Sequence, residues 1–126
     1  MKFQLAEKLE MTRAFDIDGN AFAVTILRAP GVVVTNILSK EKNGYEALQI
    51  AMDENKPQRS NKPELGHFGG KAYKYVKEFR TNIGDIQKGA IIKADIFNSK
   101  EKVMVSGLSK SKGFQGVVKR HGFKGG

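Results

Sequence analysis

The chain contains no cysteine, which excludes disulfides, thiolate zinc sites and thiol nucleophiles. Histidine is scarce as well. His67 and His121 stand far apart, and neither has a carboxylate pattern near it that would orient a metal ion or a general base. No Gly-Lys-Ser/Thr phosphate loop occurs. No paired carboxylates or histidine–carboxylate pair is spaced for catalysis. No enzyme, metal site or cofactor is therefore expected. Asp16, Asp18 and Asn20 imitate the start of a calcium loop. That loop needs a glycine at position 6 and a glutamate at position 12, whereas Gly19 falls early and Leu27 stands where the glutamate belongs. A hairpin turn is the better reading.

No apolar run approaches the ~18–20 residues that cross a bilayer. The N-terminus lacks the apolar stretch of a signal peptide, and Glu7 and Glu10 argue against a transit peptide. A cytoplasmic protein with no membrane partner is expected, and its length suits one domain with one modest core.

Acidic residues are missing from the last part of the chain. The whole carries 22 Lys and Arg against 13 Asp and Glu, net +9, and all 13 acids precede Ser109. The 17 cations before Ser109 leave that body at +4, and the five after it add +5. Lys110, Lys112, Lys119, Arg120 and Lys124 are interleaved with Phe114, Gln115, His121, Phe123 and frequent glycine. Positive charge neutralises phosphates. Glycine lets backbone approach a rigid partner. Flat rings stack on bases. Residues 109–126 thus read as a basic, glycine-rich extension that takes its shape from RNA, the rival being a merely solubilising tail.

Ahead of it, Met11–Phe15 and Ala21–Arg28 flank Asp16-Ile17-Asp18-Gly19-Asn20, which predicts a β-hairpin. Val32–Leu38 and Tyr45–Met52 read as strands on either side of a charged turn, Ser39–Gly44. In Tyr45–Met52, Ala47 and Gln49 alternate against Leu48 and Ile50. Residues 53–72 form a loop insertion, with a short helix capped by Asn61 and ended by Gly69. Ala72–Thr81 favours a strand through its aromatics. Ala90–Phe97 and Val103–Leu108 alternate as two more strands. Lys71, Lys74 and Lys77 straddle Tyr73 and Tyr75, either as a solvated face or as a second RNA-facing patch. Six to seven short strands with little helix predict a mainly β fold, a small barrel or strongly bent sheet over residues 1–108.

Several segments resemble, in order, the bacterial form of large-subunit ribosomal protein three. Met11-Thr12-Arg13-Ala14-Phe15-Asp16-Ile17-Asp18-Gly19-Asn20 is similar to the family's opening G-M-T-x-x-F-D-x-D-G-N. Val24–Leu27 and Val33–Thr35 match its next strands, and Asn43–Gln49 its D-G-Y-x-A-V-Q segment. Asn61–Phe68 and Glu78–Arg80 follow in place, and residues 109–126 match its S-K-G-K-G-F-Q-G-V-x-K-R-H-G-F-x-G-G. The resemblance implies a translation-protein-type β-barrel, complete or incomplete, with a basic extension that threads ribosomal RNA toward the peptidyl-transferase region. It implies a role in scaffolding and early assembly of the large subunit. Its partners would be large-subunit ribosomal RNA and neighbouring ribosomal proteins, and no homo-oligomer is implied. By the same resemblance the extension residues named above contact RNA, as do Lys62, His67 and Phe68.

Glu10 stands where the family has glycine, and the loop after His67 is shorter. Family members continue well past the position of Gly126, so a fragment, or a short form completed by another partner, is expected. The alternative reading is a free-standing RNA-binding barrel that acts as a chaperone or regulator.

Overall fold

The computed structural model describes residues 2–125; Met1 and Gly126, the two ends of the segments read above, lie outside the described residues. β1 (Glu7–Phe15) and β2 (Ala21–Arg28) form the expected antiparallel hairpin. Asp16 builds its turn. Its Oδ1 accepts the backbone N–H groups of Asp18 at 3.0 Å and Asn20 at 2.8 Å, and its Oδ2 accepts the Asn20 side-chain amide at 3.0 Å. Gly19 turns the chain with φ of +83°, a region that side chains disfavour. The Asp16 carboxylate is therefore committed to closing a turn. β1 starts earlier than expected, at Glu7, because the ladder runs on past a bulge between Lys8 and Glu10 to pair Glu7 with Arg28.

β3 (Val32–Leu38), β4 (Ala47–Glu54), β5 (Tyr73–Phe79) and β6 (Ile91–Ile92) form a second antiparallel sheet in the order β5-β4-β3-β6. Its core face carries Val32, Val34, Leu48, Ile50 and Met52, and Phe3 from the N-terminal segment closes over them. Phe3 stacks on Phe79 with ring centroids 4.7 Å apart and planes 10° from parallel. Burying each such aliphatic or aromatic side chain contributes about 1.5–3 kcal/mol. Ala47 and Ala51 are buried on the opposite face of β4. Between Ala47 and Met52 only Gln49 is polar, as befits a stretch covered on both sides.

Two short helices join these strands and a third lies beyond them. α1 (Lys40–Asn43) occupies the expected charged turn, and α2 (Lys62–His67) starts after Asn61 as its sequence signals. The Asn61 backbone N–H donates to Glu64 Oε2 at 3.2 Å, and Pro63 lies in the first turn, where a missing donor costs nothing. α3 (Val117–His121) lies in the extension.

The mainly β fold is as expected, but the two sheets do not close into a barrel. Two expected strands account for this. Ala90–Phe97 pairs only at Ile91–Ile92, then turns into a 3₁₀ segment at Ala94–Ile96. Its partner runs out: Val32 opposes Ile92, and the next residues of the partner are Gly31 and Pro30, the latter with no N–H to donate. Gly31 lies so close to Ile91 that a Cβ there would sit 2.9 Å from Ile91 Cγ2. Val103–Leu108 has the alternation of a strand but no ladder partner among the described residues, and all six residues are exposed. Both faces of the β1–β2 hairpin are likewise largely exposed, including Met11, Phe15 and Phe22.

Candidate nucleic-acid interface

The expected RNA contacts fall into two groups. The first is the extension. From Glu101 to Gly125 the chain is exposed apart from half-buried Gln115, and no acid follows Glu101 in the sequence. Lys110 and Lys112 lie on an irregular stretch, and Phe114 is 97% exposed. Lys119, Arg120 and His121 form the last turn of α3, where positive charge complements the helix dipole, and Gly122 closes it. The His121 and Phe123 rings lie 5.7 Å apart, tilted by 36°, and Lys124 follows. Among the described residues none of these cations forms an ion pair; the pairs found join Lys2 to Glu101 and Arg28 to Glu7 and Asp53. A helix of five residues has little stability of its own. The extension therefore offers five cations without an ion pair and two exposed phenylalanine rings, on backbone that has no ladder partner among the described residues.

The second group gathers around α2 and the start of β5. Lys62 opens α2, His67 ends it, Phe68 follows, Lys71 lies in the link and Lys74 is on β5. Phe68 packs edge-on against both neighbours, His67 at 4.7 Å and Tyr73 at 5.5 Å between centroids. Lys74 Nζ lies 5.0 Å from the Tyr75 ring centroid. Contact with Tyr75 raises the Lys74 pKa, chiefly by hydrogen bonding, so the ammonium stays charged. Nothing among the described residues joins this patch to the extension.

Residues that sequence reasoning left out anchor this second group. In the β3–β4–β5 register, Gln49 stands opposite Asn36 on one side and Glu78 on the other. Gln49 Nε2 donates to Glu78 Oε1 at 3.3 Å, and Thr35 Oγ1 donates to Gln49 Oε1 at 3.0 Å. His67 Nε2 meets the same Gln49 oxygen at 3.0 Å. Tyr45 donates to Glu78 Oε2 at 2.9 Å, a bond that raises the tyrosine pKa, and the Arg80 guanidinium lies 5.1 Å from the Tyr45 ring centroid. His67, one of the expected RNA contacts, is exposed, and one of its ring nitrogens is engaged by the sheet. Sequence held one signal for this, a glutamine amid the apolar run Ala47–Met52.

His67, His121 and the acids do not converge. No group of three or more metal-ligating side chains occurs among the described residues, and no helix there is long and apolar enough to cross a membrane.

No family model matches the chain. The chain is similar to the large ribosomal subunit protein uL3 of Brevibacillus brevis, 45% identical over 122 residues that cover 93% of this chain and 58% of that protein. Its similarity to the protein of the same name from Herpetosiphon aurantiacus is 41% identity over 130 residues, 97% of this chain and 59% of the relative. For that of Spiroplasma kunkelii it is 41% over 129 residues, 100% of this chain and 50% of the relative. The chain thus spans between half and three fifths of the length of these curated relatives. These matches cover 93% to 100% of this chain, and over the stretch it spans the chain is similar to large ribosomal subunit protein uL3.

Proposed function

We propose that this chain is a structural constituent of the large ribosomal subunit that binds large-subunit ribosomal RNA, without catalysis and without a cofactor. Residues 1–108 form the scaffold and residues 109–126 the RNA-binding extension. The relatives' names support the subunit. The observation that carries RNA binding is the extension: five cations, no acid and exposed rings on backbone with no ladder or ion-pair partner among the described residues. Flexible cationic backbone of this kind is ordered by phosphates, and its rings by bases. Early subunit assembly, reach toward the peptidyl-transferase region, residence on cytoplasmic ribosomes and contact with neighbouring subunit proteins complete the reading. The exposed apolar residues of the hairpin suit such neighbours.

The test is the salt dependence of binding to large-subunit ribosomal RNA. Deleting residues 109–126 removes five cations, which lowers the log–log salt slope by about 3.5 if every one meets a phosphate. An unchanged slope refutes the extension's role. Equal affinity for unrelated RNAs of the same length would favour an RNA chaperone instead.

A further inference from the structure

Glu78 is an acceptor, so the Gln49 atom facing it must be the amide nitrogen. That leaves the Gln49 carbonyl oxygen toward Thr35 and His67. His67 must then present Nε2–H to it, so the lone pair resides on Nδ1. The exposed imidazole edge beside Phe68 is thus held as a hydrogen-bond acceptor. An acceptor does not bind a phosphate oxygen. It takes a donor, such as a ribose 2′-hydroxyl or a base amine.

This edge borders an open groove of ~500 Å³ between α2 and β5, lined by His67, Phe68, Tyr73 and Lys74 among others. Phe68 and Tyr73 are half-buried, so their rings are fixed by packing yet still meet solvent. Around it, residues 56–74 carry five cations (Lys56, Arg59, Lys62, Lys71 and Lys74) against one acid, Glu64. Glu64 itself accepts the Asn61 N–H at the start of α2. Fixed aromatic surface, a tautomer-locked acceptor and a cationic surround match a nucleotide taken out of its stack. A continuous duplex hides its base faces and offers none of these contacts at once.

We propose that the groove between α2 and β5 is a subsite for one unstacked ribonucleotide of a single-stranded RNA segment. The base lies against Phe68 and Tyr73, a ribose or base donor meets His67 Nδ1, and Lys74 faces the phosphate. Gln49 and Glu78 act as positioning residues that set the histidine tautomer. The inference rests on the RNA-binding reading above and adds a second contact, separate from the extension.

Photocrosslinking of the unaltered full chain to a short single-stranded RNA containing 4-thiouridine tests it. Adducts within residues 67–75, beside any in the extension, are the expected result. Adducts confined to residues 109–125 overturn the groove and leave the RNA-binding reading intact. Absence of binding overturns both. As a second arm, Phe68→Leu keeps apolar bulk but removes the ring. It is expected to weaken single-strand binding about tenfold, the loss of one base–aromatic stack, with the salt slope and affinity for duplex RNA unchanged. No loss, or an equal loss for duplex RNA, overturns the subsite.

Discussion

Arg28, at the end of β2, holds Asp53 on β4 with both terminal nitrogens of its guanidinium, while its Nε and Nη2 also hold Glu7 Oε2, at 3.1 and 2.8 Å. The two sheets share no backbone ladder, so this fork is a side-chain bridge between them. Asp53 is one of two non-glycine residues, among those described, with positive φ, at +56°. The carboxylates raise the Arg28 pKa, Asp53 first, so the bridge does not titrate away.

Replacing Arg28 by lysine keeps the charge and loses the planar fork. Amide hydrogen exchange in β1 and β2 should accelerate while that of β3 and β4 stays as it was. Equal acceleration in both sheets would show that the bridge supports the whole fold instead of the hairpin's placement.

Phe3 is a core residue donated by the N-terminal segment, 8% exposed and stacked on Phe79. Phe3→Ala should cost about 3–5 kcal/mol, a large share of the stability of any small domain. Urea unfolding followed by circular dichroism measures it; a loss below about 1 kcal/mol would mean that the segment is not seated in solution.

Gly31 and Ile91 are coupled by space. Gly31→Ala brings a Cβ to 2.9 Å from Ile91 Cγ2, and overpacking of this kind costs about 1 kcal/mol or more. Ile91 is exposed, so Ile91→Ala alone should cost little and should restore the stability lost in Gly31→Ala. Additive effects in the double-mutant cycle would sink the steric account.

Asp16 gives the hairpin turn a pH dependence. Its pKa is lowered from the usual 3.8, first by the Asn20 side-chain bond and then by backbone N–H groups. A depressed folded value means that the contribution is complete above the unfolded pKa and disappears as the pH falls through the folded one. Nuclear magnetic resonance of the Asp18 and Asn20 amides should show the turn intact at neutral pH and loosening only below about pH 4. Asp16→Asn should remove that dependence.

The Gln49 lock predicts a histidine tautomer. ¹⁵N shifts of the His67 ring should show the proton on Nε2 at neutral pH, and Gln49→Leu should return the ring to an ordinary tautomer mixture. An Nδ1–H ring in the unaltered protein would reverse the orientation assigned to the Gln49 amide.

The hairpin and α2 were legible because their chemistry is local: Asp16, Gly19 and Asn20 sit within five residues of one another, as do Asn61, Pro63 and Glu64. The extension was legible from charge alone. The strands at Ala90–Phe97 and Val103–Leu108 were misread because alternation describes a residue pattern and a strand also needs a partner. Pro30 takes that partner from the first, and the second has none among the described residues. The polar row from Thr35 through Gln49 to Glu78 and Tyr45 depends on the register of β4 against β5, which single-sequence periodicity does not encode.

Glu101 lies in the exposed run that leads into the extension. Its carboxylate takes Lys2 Nζ at 2.8 Å and the Asn98 backbone N–H at 2.9 Å, and Lys2 is the neighbour of Phe3. A pull on the arm runs back along the covalent chain through Asn98 toward β6, and the exposed Lys2–Glu101 pair is the side-chain tie from that path to the segment that carries Phe3. Such a pair is weak and gives way first, so the arm can swing into whatever shape its partner imposes without dragging the stacked ring with it.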